Sequence, residues 1–143
     1  MKTRYTFIIL LLAVTLASSA QEPRFKISLA EWSLNKSLFK KTITNMDFPR
    51  IAKETYGLDA VEYVSTFFRD KAEDTQYLTQ LKNECEKYGV KSLLIMVDGE
   101  GNLADTSATA RNKAVENHYK WVKAAKFLGC HTIRVNAGGR GTM

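Results

Sequence analysis

Residues 114–136 read AVENHYKWVKAAKFLGCHTIRVN, and the change of rhythm at Gly129 decides the fold. Before it, Ala114, His118, Trp121, Val122, Ala125 and Leu128 recur at helical spacing, giving the inner face of a helix expected from about residue 108 to residue 128. Gly129 supplies the left-handed residue that ends such a helix. After it the period becomes two. In residues 130–136 apolar Ile133 and Val135 alternate with Arg134 and Asn136, so one strand face is greasy and the other offers a charge and an amide.

The same unit recurs upstream. Residues 25–31 (FKISLAE) have strand character, and residues 32–46 are polar and irregular. Asp47 is expected to cap a helix with Pro49 in its first turn, Phe48, Ile51, Ala52 and Tyr56 inward, and Gly57 at its end. Residues 59–64 (DAVEYV) form the second strand. Asp74 then caps a helix running to Tyr88, with Leu78, Leu81, Cys85 and Tyr88 inward and Gly89 closing it. Residues 90–97 (VKSLLIMV) are the third strand, followed by the loop DGEGNLADTS at residues 98–107.

A β-α-β-α-β-α-β order implies parallel strands joined by helical crossovers. A doubly wound nucleotide binder requires a glycine-rich turn after its first strand. Here that turn reads WSLNKSLF, without glycine. A (β/α)8 barrel instead sets polar side chains near the carboxyl ends of its strands. Trp32, Glu62, Asp98, and the pair Arg134 and Asn136 occupy such places on the four strands. The expected fold is therefore α/β, the N-terminal half of a (β/α)8 TIM barrel. The glycine-rich residues 137–143 enter no helix, so the barrel domain is expected to span residues 21–143 and to be truncated after strand four.

The first 20 residues stand apart from that domain. Lys2 and Arg4 form a basic start, residues 7–16 an apolar run broken only by Thr15, and Ala17-Ser18-Ser19-Ala20 a small-residue cleavage site. This is the layout of a signal peptide, too short for a comfortable membrane span. The protein is expected to be exported, periplasmic or secreted, with no stable membrane span after cleavage. Lys2 and Arg4 leave with the leader and no acid does, so the formal charge falls from +6 to +4. The other lysines are scattered among acids, without the aromatic-interleaved basic stripe that nucleic acid requires. Cys85 and Cys130 lie in apolar contexts and are expected as free thiols rather than a bridge.

Four stretches in order, SLAEWSL, GLDAVEYV, GVKSLLIMVDGEG and AVENHYKWVKAAKFLGCHTIRVN, resemble the xylose isomerase-like TIM barrels, the sugar phosphate isomerases and epimerases that also include AP endonuclease family two. The resemblance spans about residues 25–143. It implies an enzyme that shifts a proton next to a carbonyl of a sugar-like substrate. It also implies a divalent metal ion for the full-length protein, held by Glu, Asp, His and Glu on strands five to eight. No metal site and no catalytic residue is therefore expected within this chain, and the fragment alone is expected to be inactive.

Four residues are expected to contact substrate. Trp32 can stack on a sugar ring. Glu62 is expected in the lumen, ion-paired with Arg134, whose guanidinium could also hold a phosphate or carboxylate. Asn136, at the rim, suits a substrate hydroxyl. Asp98 and Glu100 read as a solvated acidic turn, His118 as a core residue with one hydrogen bond, and His131 as structural. The alternatives are a carbohydrate-binding barrel without catalysis and an AP endonuclease-type phosphodiesterase. The latter would want histidine ligands by strand three, and SLLIMVDGEG has none. A homo-oligomer is also expected as an option, because a half barrel leaves sheet edges open.

Overall fold

The computed structural model describes residues 25–138, so the expected signal peptide at residues 1–20 lies outside the described residues. Four parallel strands form one sheet in the order β1-β2-β3-β4: β1 Leu29–Ala30, β2 Ala60–Val64, β3 Lys91–Val97 and β4 Thr132–Val135. Between them run α1 Asn35–Phe39, α2 Phe48–Tyr56, α3 Thr75–Tyr88 and α4 Ala108–Leu128. Two 3-10 turns, Glu31–Leu34 and Ser65–Lys71, leave the carboxyl ends of β1 and β2. A parallel sheet with strands in sequence order is the arrangement of a barrel wall, here with four of the eight strands that such a barrel closes with.

Alternation along the strands sorts the sheet into two faces. Val61, Tyr63, Ile95 and Val97 are buried under the helices with Leu78, Leu81, Phe48 and Trp121. Glu62, Leu94, Met96 and Arg134 take the opposite, lumen face, which follows from the period of two. Register then fixes their heights. Glu62 pairs with Leu94, which pairs with Thr132, whereas Val64 pairs with Met96 and Met96 with Arg134. The register of β2 on β3 shifts between Val61 and Glu62. Burial on the helix side draws on aromatic edge contacts, including Phe68 against Trp121 at 5.2 Å and Phe48 against Tyr63 at 5.9 Å.

The helix boundaries follow their capping chemistry. Asp74 accepts the Tyr77 N–H at the start of α3, and Ser107 accepts the Ala110 N–H at the start of α4. Gly57, Gly89 and Gly129 end α2, α3 and α4 in the left-handed conformation.

Several expectations need correction. Asp47 does not cap α2 with its side chain: its backbone is already helical, and its carboxylate turns back to accept from Thr44 N, Thr44 Oγ1 and Arg50. These bonds, the Thr44 side chain first, hold its carboxyl below the usual range. Residues 32–46 contain α1 rather than irregular chain alone. Strand pairing begins at Leu29, and Ile27 is exposed, because β2 starts only at Ala60 and offers no ladder further down. Val122 is exposed, while Ala124 is buried. The inward arc of α4 centres on Trp121 and Ala125, so Ala124, three beyond Trp121, falls inside it and Val122, one beyond, does not. Tyr56 likewise ends α2 half in water.

Cys85 is buried, Cys130 is half-buried, and both are free thiols. Burial pushes Cys85 up and Cys130 up to about 12, so both are protonated at neutral pH. No helix among the described residues is long and apolar enough to cross a membrane.

Candidate functional site

The carboxyl ends of the four strands are tied together by one hydrogen-bonded chain. The backbone leaves β1 after Ala30 for a 3-10 turn, so no main-chain carbonyl continues that edge. The Glu31 carboxylate takes the place instead, its Oε2 accepting the Val64 N–H at 2.7 Å. The next residue, Ser65, is buried and accepts the Asp98 N–H on its hydroxyl at 2.9 Å. Asp98 follows β3. Its Oδ1 accepts from the Asn136 amide at 2.6 Å and lies 3.6 Å from Arg134 Nη2. One strand after another is thus fixed to its neighbour at the rim.

An aromatic group shares this rim. Trp32 follows β1, Phe39 ends α1 and Phe67 lies two residues beyond Ser65. Their rings meet at 6.1 Å (Trp32–Phe39), 5.9 Å (Trp32–Phe67) and 5.2 Å (Phe39–Phe67). Trp32 remains 48% exposed and Phe39 59% exposed, so the group keeps ring area open to a ligand.

The loop after β3 is fastened rather than free. Glu100 is buried, and its Oε1 accepts from Trp121 Nε1 at 2.8 Å and Lys120 Nζ at 2.9 Å. Asn117 donates to the Glu100 carbonyl at 3.2 Å. Burial pushes the Glu100 carboxyl up, but the Lys120 and Trp121 bonds outweigh it and leave it below the usual range. Gly101 closes the attachment at φ +100°, where a Cβ would stand 3.0 Å from that of Ala114. The expected solvated acidic turn is therefore corrected for Glu100: a loop held to α4 by an indole and an ammonium cannot swing freely.

Of the expected substrate residues, Asn136, Arg134 and Trp32 stand at or near the rim. The expected Glu62–Arg134 ion pair is not formed. Glu62 accepts from Ser28 Oγ at 2.6 Å, while Arg134 pairs with Asp98 and its side chain is 52% exposed. Register explains this, since Arg134 stands level with Met96 and Val64 whereas Glu62 stands one lumen-facing position lower. His118 is a core residue whose Nδ1 lies 2.7 Å from the Ala114 carbonyl. His131 is exposed and lines, with Lys82, Lys91 and Ser92, a cavity of 270 Å³ at the amino ends of β3 and β4. That end of a barrel is the one remote from chemistry.

Glu31, Ser65, Phe39 and Phe67 are missed by sequence reasoning. Glu31 had a usable signal, an acid directly behind a strand; the others look like ordinary loop residues.

Glu31 is fully buried, its Oε1 has no hydrogen-bond partner, and burial pushes its carboxyl up to about 8 against the lowering effect of the Val64 N–H. Among the described residues no group of three or more His, Cys, Asp or Glu could hold a metal ion. Of the two rim carboxylates, Asp98 is occupied by an amide and a guanidinium and Glu31 is protonated and bound to the Val64 N–H, a donor set that does not fit a divalent cation.

Residues 49–142 match the family model described as xylose isomerase-like TIM barrel. Among curated proteins none matches the chain significantly.

Proposed function

The chain belongs to the xylose isomerase-like TIM barrel family, and from that premise we propose that it supplies the substrate-positioning wall of a sugar or sugar phosphate isomerase or epimerase. The family includes sugar isomerases and epimerases as well as endonucleases, and this supports an enzyme. The observation that carries the reading is the convergence of Asn136 and Arg134 on Asp98 at the strand ends. A carboxylate, an amide and a half-exposed guanidinium can receive and donate hydrogen bonds to neighbouring hydroxyls of a polyol. Trp32 offers an aromatic face to the C–H side of a ring.

The reaction moves a proton on the carbon beside a carbonyl, which calls for a base and for polarisation of the oxygen. A divalent ion supplies that polarisation when bound. The described residues do not fit one, so we assign its ligands and the catalytic base to strands five to eight of a closed barrel. This half binds and orients. The leader-like residues 1–20 support an exported protein, periplasmic or secreted.

The test has two arms. Titration of the chain with free and phosphorylated monosaccharides, followed by Trp32 fluorescence, should saturate, and Asn136→Ala should weaken it. A barrel extended through strands five to eight should carry deuterium from D2O to the carbon beside the sugar carbonyl. Saturation without isotope exchange in that longer protein moves the reading to a carbohydrate-binding barrel. Absence of both overturns it.

A further inference from the structure

We propose that Glu31 is a positioning residue: its buried carboxyl sets the end of β2 and, through Ser65, holds Asp98 where Asn136 and Arg134 meet it. The role rests on reading the rim as a substrate wall, but the test below reads the rim itself and not turnover. Beyond Ala30 the main chain of β1 has turned away, and the outward-facing Val64 N–H would lie buried without an acceptor. An unpaired buried N–H is costly, so the side chain that takes it decides where β2 ends. Ser65 is the residue after that bond, and its hydroxyl is the acceptor for the Asp98 N–H. Moving Val64 therefore moves the support beneath Asp98.

A carboxyl is an unusual choice for this place. Glu31 is fully buried, and its charge would add to the rise of the Tyr63 phenol in β2 and the Tyr77 phenol in α3, both raised above their ordinary value chiefly by burial. Asp70 and Asp74 also raise the Tyr77 phenol. One Glu31 oxygen has its N–H and the other has nothing. Ionisation would strengthen the first contact, but it would leave a buried charge beside an unsatisfied oxygen, and the raised carboxyl shows that burial wins. The acid form holds the rim. The charged form drives the turn toward water and loosens the Val64 bond, and with it Asp98.

The experiment is carboxyl carbon NMR on the 143-residue chain labelled at Glu and Asp, from about pH 5 to about pH 10, with Asp98 assigned through Asp98→Asn. The expected result is a Glu31 resonance that titrates near pH 8 and an Asp98 resonance that moves in the same step. In Glu31→Gln, whose amide oxygen still accepts from Val64, Asp98 should keep its low-pH position throughout. In Glu31→Leu it should sit at the parent's high-pH position at every pH. An Asp98 signal that stays flat while Glu31 titrates overturns the proposal. So does a step that survives in Glu31→Gln, or a Glu31 that titrates like a solvated acid. Should Glu31→Leu fail to fold, the parent and Glu31→Gln decide between them. Sugar binding that fails while these shifts appear counts against the functional reading alone.

Discussion

The Asn136 side-chain amide donates to Asp98 Oδ1 at 2.6 Å, joining the residue after β4 to the residue after β3. The contact is exposed, so it adds little to the stability of the fold. Asn136→Ala should leave the melting temperature close to that of the parent, since an exposed hydrogen bond contributes only about 0.5–1.5 kcal/mol net. Its effect should fall on monosaccharide binding, read by titration. A large loss of stability with unchanged binding would show that the contact is structural.

Arg134 should couple to Asp98 and not to Glu62. The 3.6 Å pair is half exposed, so a double-mutant cycle of Arg134→Ala with Asp98→Asn should return less than about 1 kcal/mol. The cycle with Glu62→Gln should return nothing measurable, because Glu62 is engaged by Ser28. A coupling with Glu62 larger than that with Asp98 would mean the register of β2 against β3 is wrong.

Glu31 makes stability depend on pH with a definite sign. Its folded value of about 8 lies above the ordinary 4.5, so the folded state binds the proton more tightly than the unfolded state. The Glu31 contribution to stability is fully present below about pH 4.5 and is lost as pH rises from there to about 8. At one pKa unit per 1.36 kcal/mol, the fall amounts to roughly 3–5 kcal/mol. Glu31→Gln should flatten this slope in urea melts taken across the window. A parent whose stability holds level from pH 5 to pH 8 would sink the prediction.

Glu100 carries the opposite sign. Its carboxyl is lowered on balance, so its contribution is present above the ordinary carboxylate value and is lost as pH falls through the folded one. Glu100→Ala strands the Trp121 indole N–H in the core and should cost about 1–3 kcal/mol, with a change in Trp121 emission. Glu100→Gln keeps that acceptor and gives up the charge facing Lys120, and it should recover most of the loss.

The strand edges at β1 and β4 predict self-association of the 143-residue chain. Beside β4, Val122, Ala125, Cys130 and Ile133 line an apolar groove that adds to the exposed surface. Light scattering across a concentration series should show mass rising with concentration. A monomer at all concentrations with a cooperative melt would count against an open half-barrel wall.

Periodicity and punctuation determined the element order of this protein. The helix-glycine-strand units, the three closing glycines, the Asp74 cap and the bounds of α4 are local consequences of spacing and backbone conformation, and each is where the sequence puts it. Three of the four ordered stretches lie within residues 49–142, which match the family; SLAEWSL lies before them. What the tertiary structure decided is which side chains meet. The partner of Arg134 depends on the register of β4 on β3 and of β3 on β2, a property of paired strands and of no strand alone. The same holds for Glu31, an acid whose charge state is set by burial against the Val64 N–H of β2, and for Glu100, whose indole partner lies 21 positions along the chain. Helices and strands are written in contiguous residues, whereas burial, register and protonation are sums over residues brought together only when the chain has folded.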